Sequence, residues 1–284
     1  MHFTGLSCTE GRMSERILVT GSTDGIGLET ALILAKRGHA VILHGRNEAK
    51  LKAATEQLKQ VSQVPVPVGE IGDLSSLADV RRLAASILKR PDAPTVLLNN
   101  AGTFQTERHL SVDGFEMTMA INHLGPALLT LLLLEGKAPL TRIVNVSSMA
   151  HARGRIDVDD VTGTHTEFNG YAHYATSKLA NVLFTVALAP RVKARGITVN
   201  ALHPGVVTTK LLKTGFNMNG HESLAEGSAT SVMLAVDEAG AKTTGEYFSH
   251  QKLAPMNPVA KKPEVVEAFF QNTLKAIGLS DLPQ

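Results

Sequence analysis

The 284-residue chain is predicted to form one α/β domain, a doubly wound parallel sheet of about seven strands in the order 3-2-1-4-5-6-7 with helices on both faces. Three observations predict it. Apolar runs of strand length alternate with helical patterns through the first half of the chain, the signature of repeated βαβ units. The runs are continuously apolar, as in Ile17-Leu18-Val19 and Val96-Leu97-Leu98, which suits strands covered on both faces. A glycine-rich turn, Gly21 to Gly27, separates the first run from the first helical pattern, at the place where open sheets of this class let a ligand approach the backbone.

Taken in order, strands are expected at residues 16–20 and 40–43, each followed by a helix, at 26–37 and 48–60. The third strand is expected at 64–68, Val64-Pro65-Val66-Pro67-Val68. Its two prolines cannot donate to a ladder, so it belongs at a sheet edge, where the third strand of this order lies. A helix at 77–89 and a strand at 95–99 complete the first half. Then come a long helix at 114–134 that Pro126 should kink or interrupt, a strand at 142–146, a helix at 171–193 and a strand at 197–202. A lid is expected at 210–226, with Leu211, Leu212, Phe216 and Met218 offering apolar contacts, then a last strand at 246–249. The final helix, 263–277, opens on a proline and stops at Gly278. No linker divides the chain, so residues 14–284 are read as one domain. Residues 1–13 lack the apolar core of a secretory signal and are set aside as a leader or tag.

Composition excludes several functions. Hydrophobic residues make up 43% and charged ones 19% of the chain, which is globular territory. A net charge of +2 with both signs interspersed supplies no basic stripe for nucleic acid. Cys8 is the only cysteine, which rules out an intrachain disulfide and fits a reducing, cytoplasmic setting. The eleven histidines show no ligand spacing, so His165, His173 and His203 are expected as exposed or loop residues and no metal is expected. The longest apolar run, 127–134, is shorter than the roughly 20 residues that span a bilayer. With the apolar helix after Tyr174 it suggests a buried helix or the interface of a homodimer or homotetramer.

Three motifs carry the chemistry. Thr20-Gly21-Ser22-Thr23-Asp24-Gly25-Ile26-Gly27 would bring bare backbone and a helix N-terminus against a pyrophosphate. Asn99-Asn100-Ala101-Gly102 ends the fourth strand, at the topological switch point of such a sheet. In Tyr174-Ala175-Thr176-Ser177-Lys178, the tyrosine and lysine lie four apart on one helical face. Each has an ordinary structural reading alone: a strand-to-helix turn, a loop, a surface pair. Their order and their placement at element ends argue for function.

Together the motifs resemble the short-chain dehydrogenase/reductase family, of Rossmann-type fold, over nearly all of residues 14–279. Ile143-Val144-Asn145-Val146-Ser147-Ser148 with Ala150-His151, Ser177-Lys178-Leu179-Ala180-Asn181 and His203-Pro204-Gly205-Val206-Val207 resemble its retinol-dehydrogenase-like branch. Membrane-bound members of that branch carry an apolar N-terminal anchor that this sequence lacks, so no membrane anchor is expected. The resemblance implies hydride transfer between a nicotinamide and a carbonyl or alcohol of a fairly apolar substrate. Tyr174 would be general acid/base, and Lys178 would lower its pKa and bind the ribose. Ser148, preferred to Ser147, would orient the substrate oxygen, and Asn122 would hold a water in a proton relay. Tyr171, with no lysine four residues on, is the rival tyrosine.

The same resemblance places the cofactor against Gly21, Ser22, Thr23, Asp24, Gly25, Ile26, Gly27, Asn100, Ala101 and Gly102. Asp73 and Leu74 would meet the adenine, Asp73 doubling as a helix cap, and Val207 and Thr209 the carboxamide. NAD enzymes present an acid at the end of the second strand, whereas here Gly45 is followed by Arg46, which suits a 2′-phosphate. NADP(H) is therefore favoured, with NAD(H) left open. Reduction of a ring double bond, or a non-catalytic dinucleotide sensor, also remains open.

Overall fold

The computed structural model describes residues 14–280, so the leader expected at 1–13, Cys8 included, lies outside the described residues. In chain order the elements are β1 (Arg16–Val19), α1 (Gly25–Lys36), β2 (Ala40–Gly45), α2 (Glu48–Val61), β3 (Glu70–Ile71), α3 (Leu77–Leu88) and β4 (Val96–Asn99). A short α4 (Met117–Met119) runs through a π-helical turn, Ala120–Leu124, into α5 (Gly125–Glu135). There follow β5 (Arg142–Val146), a 3-10 turn at Met149–Arg153, α6 (Gly170–Val192), β6 (Thr198–His203), α7 (Lys210–Phe216), α8 (Leu224–Val236) and α9 (Glu238–Lys242). The last elements are β7 (Tyr247–Ser249), β8 (Lys252–Leu253) and α10 (Pro263–Ala276).

The sheet order is β3-β2-β1-β4-β5-β6-β7-β8, parallel except for the last pair. The expected order is found, with an eighth, antiparallel strand added at one edge. Alternation along each strand divides the core. Leu18, Ile42, Leu97 and Ile143 face α3, α5, α6 and α10, while Ile17, Val19, Val41, Leu98 and Val144 face α1, α2 and α8.

Three expectations need correction. Residues 64–68 are not a strand, and pairing with β2 waits until Glu70–Ile71. Pro65 and Pro67 supply no N–H, so the ladder forms only beyond them, although β3 is indeed an edge. The helix expected at 114–134 starts at Met117 and passes through the π turn, with Pro126 seated in the first turn of α5. In an α-helical register the Asn122 carbonyl would need the N–H of residue 126, which proline lacks, so the register change falls where the ladder is already broken. The lid expected at 210–226 contains a helix, α7, capped by Thr209, and ends in α8, whose Ser223 and Glu226 form a capping box.

Met117–Glu135 is long and apolar enough, by length and composition, to cross a bilayer, but 83% of its most apolar window is buried inside the fold. Leu128, Leu129, Leu131 and Leu133 are fully buried. Helices α3 and α6 pack on this stretch and α10 packs on α6, so much of the apolar surface of α5 and α6 is covered within the chain.

The histidines also depart from expectation. His165 is exposed, but His39, His44, His123, His151, His173 and His203 are buried. His123, in the π turn, has Nδ1 3.3 Å from Asn181 Oδ1 and Nε2 3.3 Å from Thr273 Oγ1 on α10, between the rings of Phe184 and Phe269. Burial pulls His44, His123 and His203 down to about 4. Between that value and the ordinary 6.5 the unfolded chain binds more protons than the folded one, so stability falls as pH drops through this window. Denaturant unfolding at a series of pH values should show this decline, with a shallower slope in His123→Gln. An unchanged slope would remove His123 as a contributor.

Candidate active site

At the carboxyl ends of β1, β4, β5 and β6 lies one cleft of about 880 Å³. Its floor begins with the turn after β1. Gly21 adopts φ +62°, and a Cβ there would sit 2.8 Å from Ala101 Cα. A Cβ on Gly27 would sit 2.3 Å from Asn100 Nδ2 and 2.4 Å from the Gly21 carbonyl oxygen. Only glycine allows this closeness. Asn100 exploits it, its Nδ2 donating to the carbonyls of Thr20 (2.8 Å) and Gly21 (3.1 Å). Thr20 Oγ1 in turn accepts from the backbone N–H of Asn100 and Ala101.

Of the residues expected at a cofactor, Gly21, Thr23, Asp24, Gly25, Ile26, Gly27, Arg46, Asp73, Leu74, Asn100, Ala101, Gly102, Tyr174, Lys178, Val207 and Thr209 all line the cleft. Ser22 does not. It is fully buried, and its Oγ accepts from the His44 backbone N–H at 2.9 Å, so it fastens the turn to β2. Asp24 caps α1 by accepting from Gly25 N. Asp73 does not cap α3, a task that Ser76 performs; instead it accepts from the Ser75 N–H and hydroxyl in a tight turn. Gly45 is packed under Thr23, whose methyl would stand 2.5 Å from an added Cβ. A side chain at the position of the usual acid is thus excluded unless Thr23 gives way, and exposed Arg46 follows at the rim.

The chemical end lies between β5 and α6. Asn169 caps α6, accepting from Ala172 N, and one turn later come Tyr174 and Lys178, 7% and 3% exposed. Ser147 and Ser148 separate cleanly. The Ser147 hydroxyl donates to the Lys178 carbonyl at 2.6 Å, whereas the Ser148 hydroxyl meets the Tyr174 phenol. Lys178 Nζ donates to the Val146 carbonyl at 3.2 Å and lies 5.6 Å from the centre of the Tyr174 ring. A Cβ on Gly102 would stand 3.3 Å from that Nζ and 3.5 Å from Asn122 Oδ1.

The Asn122 side chain is fully committed. Its Oδ1 accepts from Thr103 N at 2.7 Å, and its Nδ2 donates to Thr103 O and Ser177 Oγ. It does not line the cleft, and it pins the turn after β4 to α6. Burial pushes the Tyr174 phenol up to about 12, opposed by the Ser148 hydrogen bond, and pulls Lys178 down to about 8. Desolvation is the largest cause of both shifts.

Residues that the sequence motifs did not point to complete the mouth. Phe104 packs against Phe216 and Tyr174, at 4.4 and 5.7 Å between ring centres. Gly215 brings α7 down on Phe104, where a Cβ would meet the ring at 2.7 Å. Tyr171 stands edge-on to Phe216 and lines the cleft with Met149 and Met218. Phe104 sits two residues beyond Asn-Asn-Ala-Gly, and that spacing was the one available signal for it. Among the described residues no three His, Cys, Asp or Glu side chains converge to hold a metal ion.

Asn100→Ala would leave the Thr20 and Gly21 carbonyls without this donor and should cost about 1–2 kcal/mol, read as a lower urea midpoint at unchanged m-value. An unmoved midpoint would show that the two turns are held by other contacts.

Residues 15–219 match the family model described as short chain dehydrogenase. Retinol dehydrogenase 13 of Homo sapiens is 38% identical over 280 residues, covering 93% of this chain and 84% of that protein. Retinol dehydrogenase 14 of Homo sapiens is 36% identical over 291 residues, covering 93% and 86%. Among solved structures, an uncharacterized protein from Mycobacterium Paratuberculosis superposes with a TM-score of 0.78 at 30% identity, over 95% of both chains. A blue fluorescent protein from a metagenomic library, solved with NADPH, shares the fold at a TM-score of 0.66 and 23% identity, over 83% of this chain and 95% of that one. With its glycine turn, its Asn-Asn-Ala-Gly turn and its Ser–Tyr–Lys cluster around one cleft, the chain belongs to the short chain dehydrogenase family of oxidoreductases, in the retinol-dehydrogenase-like branch.

Proposed function

We propose that the protein is an NADP(H)-dependent oxidoreductase that interconverts a carbonyl and an alcohol on a fairly apolar substrate, with Tyr174 as general acid/base. The observation that carries this reading is the Tyr174 phenol, hydrogen-bonded to the Ser148 hydroxyl at the cleft end where Lys178 Nζ stands 5.6 Å from its ring. A dinucleotide sensor has no need of such a pair.

The residues fit a nicotinamide dinucleotide. The glycine turn Gly21–Gly27 and the N-terminus of α1 suit its pyrophosphate, Asp73 and Leu74 would meet the adenine, and Lys178 would hold the ribose. The Thr209 hydroxyl oxygen accepts from Leu212 N as the cap of α7, which leaves its O–H, with the Val207 backbone, to meet the carboxamide. Arg46, next to the blocked Gly45, is the group suited to a 2′-phosphate. When bound, the nicotinamide supplies or accepts the hydride.

The chain's own residues then do the rest. Ser148 donates to the substrate oxygen as negative charge builds there, and Tyr174, protonated across the physiological range, delivers the proton in the reducing direction. The Lys178 ammonium stabilises the phenolate left behind. Tyr171, Met149, Phe216 and Met218 give the substrate an apolar wall and exclude water from the reacting centre.

Tyr174→Phe deletes only the hydroxyl, so turnover should fall by about 10² or more while NADPH binding, followed by fluorescence, survives. Near-normal turnover would remove Tyr174 from the mechanism. Since Lys178 is charged only below about pH 8, the rate of carbonyl reduction should be level at lower pH and decline as pH rises through that value. A profile level to pH 10 would separate Lys178 from the rate. Arg46→Ala should narrow an initial preference for NADPH over NADH by about tenfold, and equal use of both cofactors by the parent protein would count against the phosphate assignment.

A further inference from the structure

Every residue from Val146 to Arg153 lines the cleft except His151. His151 turns the other way, 2% exposed, its ring 4.3 Å from that of Tyr247 on β7. Its Nδ1 lies 2.7 Å from the Ser148 carbonyl oxygen. A carbonyl only accepts, so Nδ1 carries the proton and donates. Burial holds the imidazole below its ordinary pKa, which leaves Nε2 a bare acceptor, and that atom is buried without a partner. An orphaned acceptor is destabilising, and a phenyl ring would cover Tyr247 without it. Packing therefore does not explain the histidine.

The turn around it is braced from the C-terminal part of the chain, beyond the residues that the family model matches. Asn257 Nδ2 reaches the carbonyls of His151 and Ala152, each at 3.2 Å, and of Gly154 at 3.1 Å. Its own Oδ1 accepts from Val259 N at 3.0 Å. Gly154 lies against α6, where an added Cβ would meet the Ala175 carbonyl at 2.6 Å, so the turn is seated on the helical segment that carries Tyr174 and Lys178. The Ser148 hydroxyl also accepts from Ala150 N at 3.2 Å, which makes its direction a property of this turn.

We propose, resting on the oxidoreductase reading above, that His151 is a positioning residue. Its Nδ1–H bond to the Ser148 carbonyl, braced by Tyr247 and Asn257, keeps the Ser148 hydroxyl on the Tyr174 phenol. His151 touches neither substrate nor cofactor, and its orphaned nitrogen is the stability given up for that alignment.

The test uses the full chain labelled at tyrosine Cζ, with its three tyrosines assigned by substitution. In Ser148→Ala the Tyr174 resonance should move. His151→Phe should move it the same way, should add nothing on the Ser148→Ala background, and should leave Tm equal or higher. His151→Asn, whose amide can donate where Nδ1 did, should return it toward the parent position. With NADPH and nonanal as the probe pair, His151→Phe should lower kcat by about tenfold with KM held within about twofold. A Tyr174 resonance unmoved in His151→Phe, or moved equally with and without Ser148, would overturn the proposal. Normal turnover in Tyr174→Phe would instead overturn the catalytic reading and leave the resonance to decide whether His151 aligns Ser148.

Discussion

The cleft depends on two backbone turns being allowed to touch. The turn after β1 and the turn after β4 approach so closely that a methyl group on Gly21 would stand 2.8 Å from Ala101 Cα, inside van der Waals contact, and one on Gly27 would displace both Asn100 and the Gly21 carbonyl. Once they touch, Asn100 and Thr20 exchange hydrogen bonds that neither turn could satisfy alone. The start of α1 is thereby fixed relative to β4. Gly102, the next residue but one, is then presented to Lys178 and Asn122. Dinucleotide end and chemical end are joined through three or four residues of contact.

Beneath the cleft a second set of polar groups ties the strands to the helices that carry chemistry. Asn99 and Asn145 stand opposite one another in β4 and β5. Asn99 Nδ2 donates to Asn145 Oδ1 and to Thr130 on α5, and Asn145 donates to Thr185 on α6, each at 2.9 Å. Further along, Lys178 and Asn181 both donate to the Val146 carbonyl. Buried amides are costly unless paired, so this chain of contacts admits only one sliding position of α6 along the sheet. That position puts Tyr174 opposite Ser148.

Much of this architecture could be read directly from residue patterns. The apolar runs located β1, β2, β4, β5 and β6 because strands covered on both faces leave no ambiguity of period. Pro65 and Pro67 correctly placed β3 at an edge but misplaced it along the chain, since the same missing N–H groups that forbid a central strand also forbid pairing at those residues. The π turn at Asn122 was invisible, because helix patterns record which faces are apolar and not whether the ladder closes on the fourth or fifth residue. Ser22 came only with the family resemblance, and nothing in its sequence neighbours shows that its hydroxyl faces inward to His44. The buried histidines and the raised phenol were equally illegible, since desolvation is a property of what packs around a group, not of its neighbours in sequence.

The covering of α6 by α10 has a consequence for biosynthesis. His123 and Phe184 are sealed by Phe269 and Phe270, residues that follow every cleft residue in the chain. Emerging chains fold from the N-terminal side at the pace of translation, about 5–20 residues per second. The sheet can assemble in order while α5 and α6 still show a greasy outer flank to solvent or to chaperones. That flank closes only once α10 has been made and has docked. A truncation just before α10 would therefore spare every residue of the cleft and still yield a sticky, short-lived polypeptide.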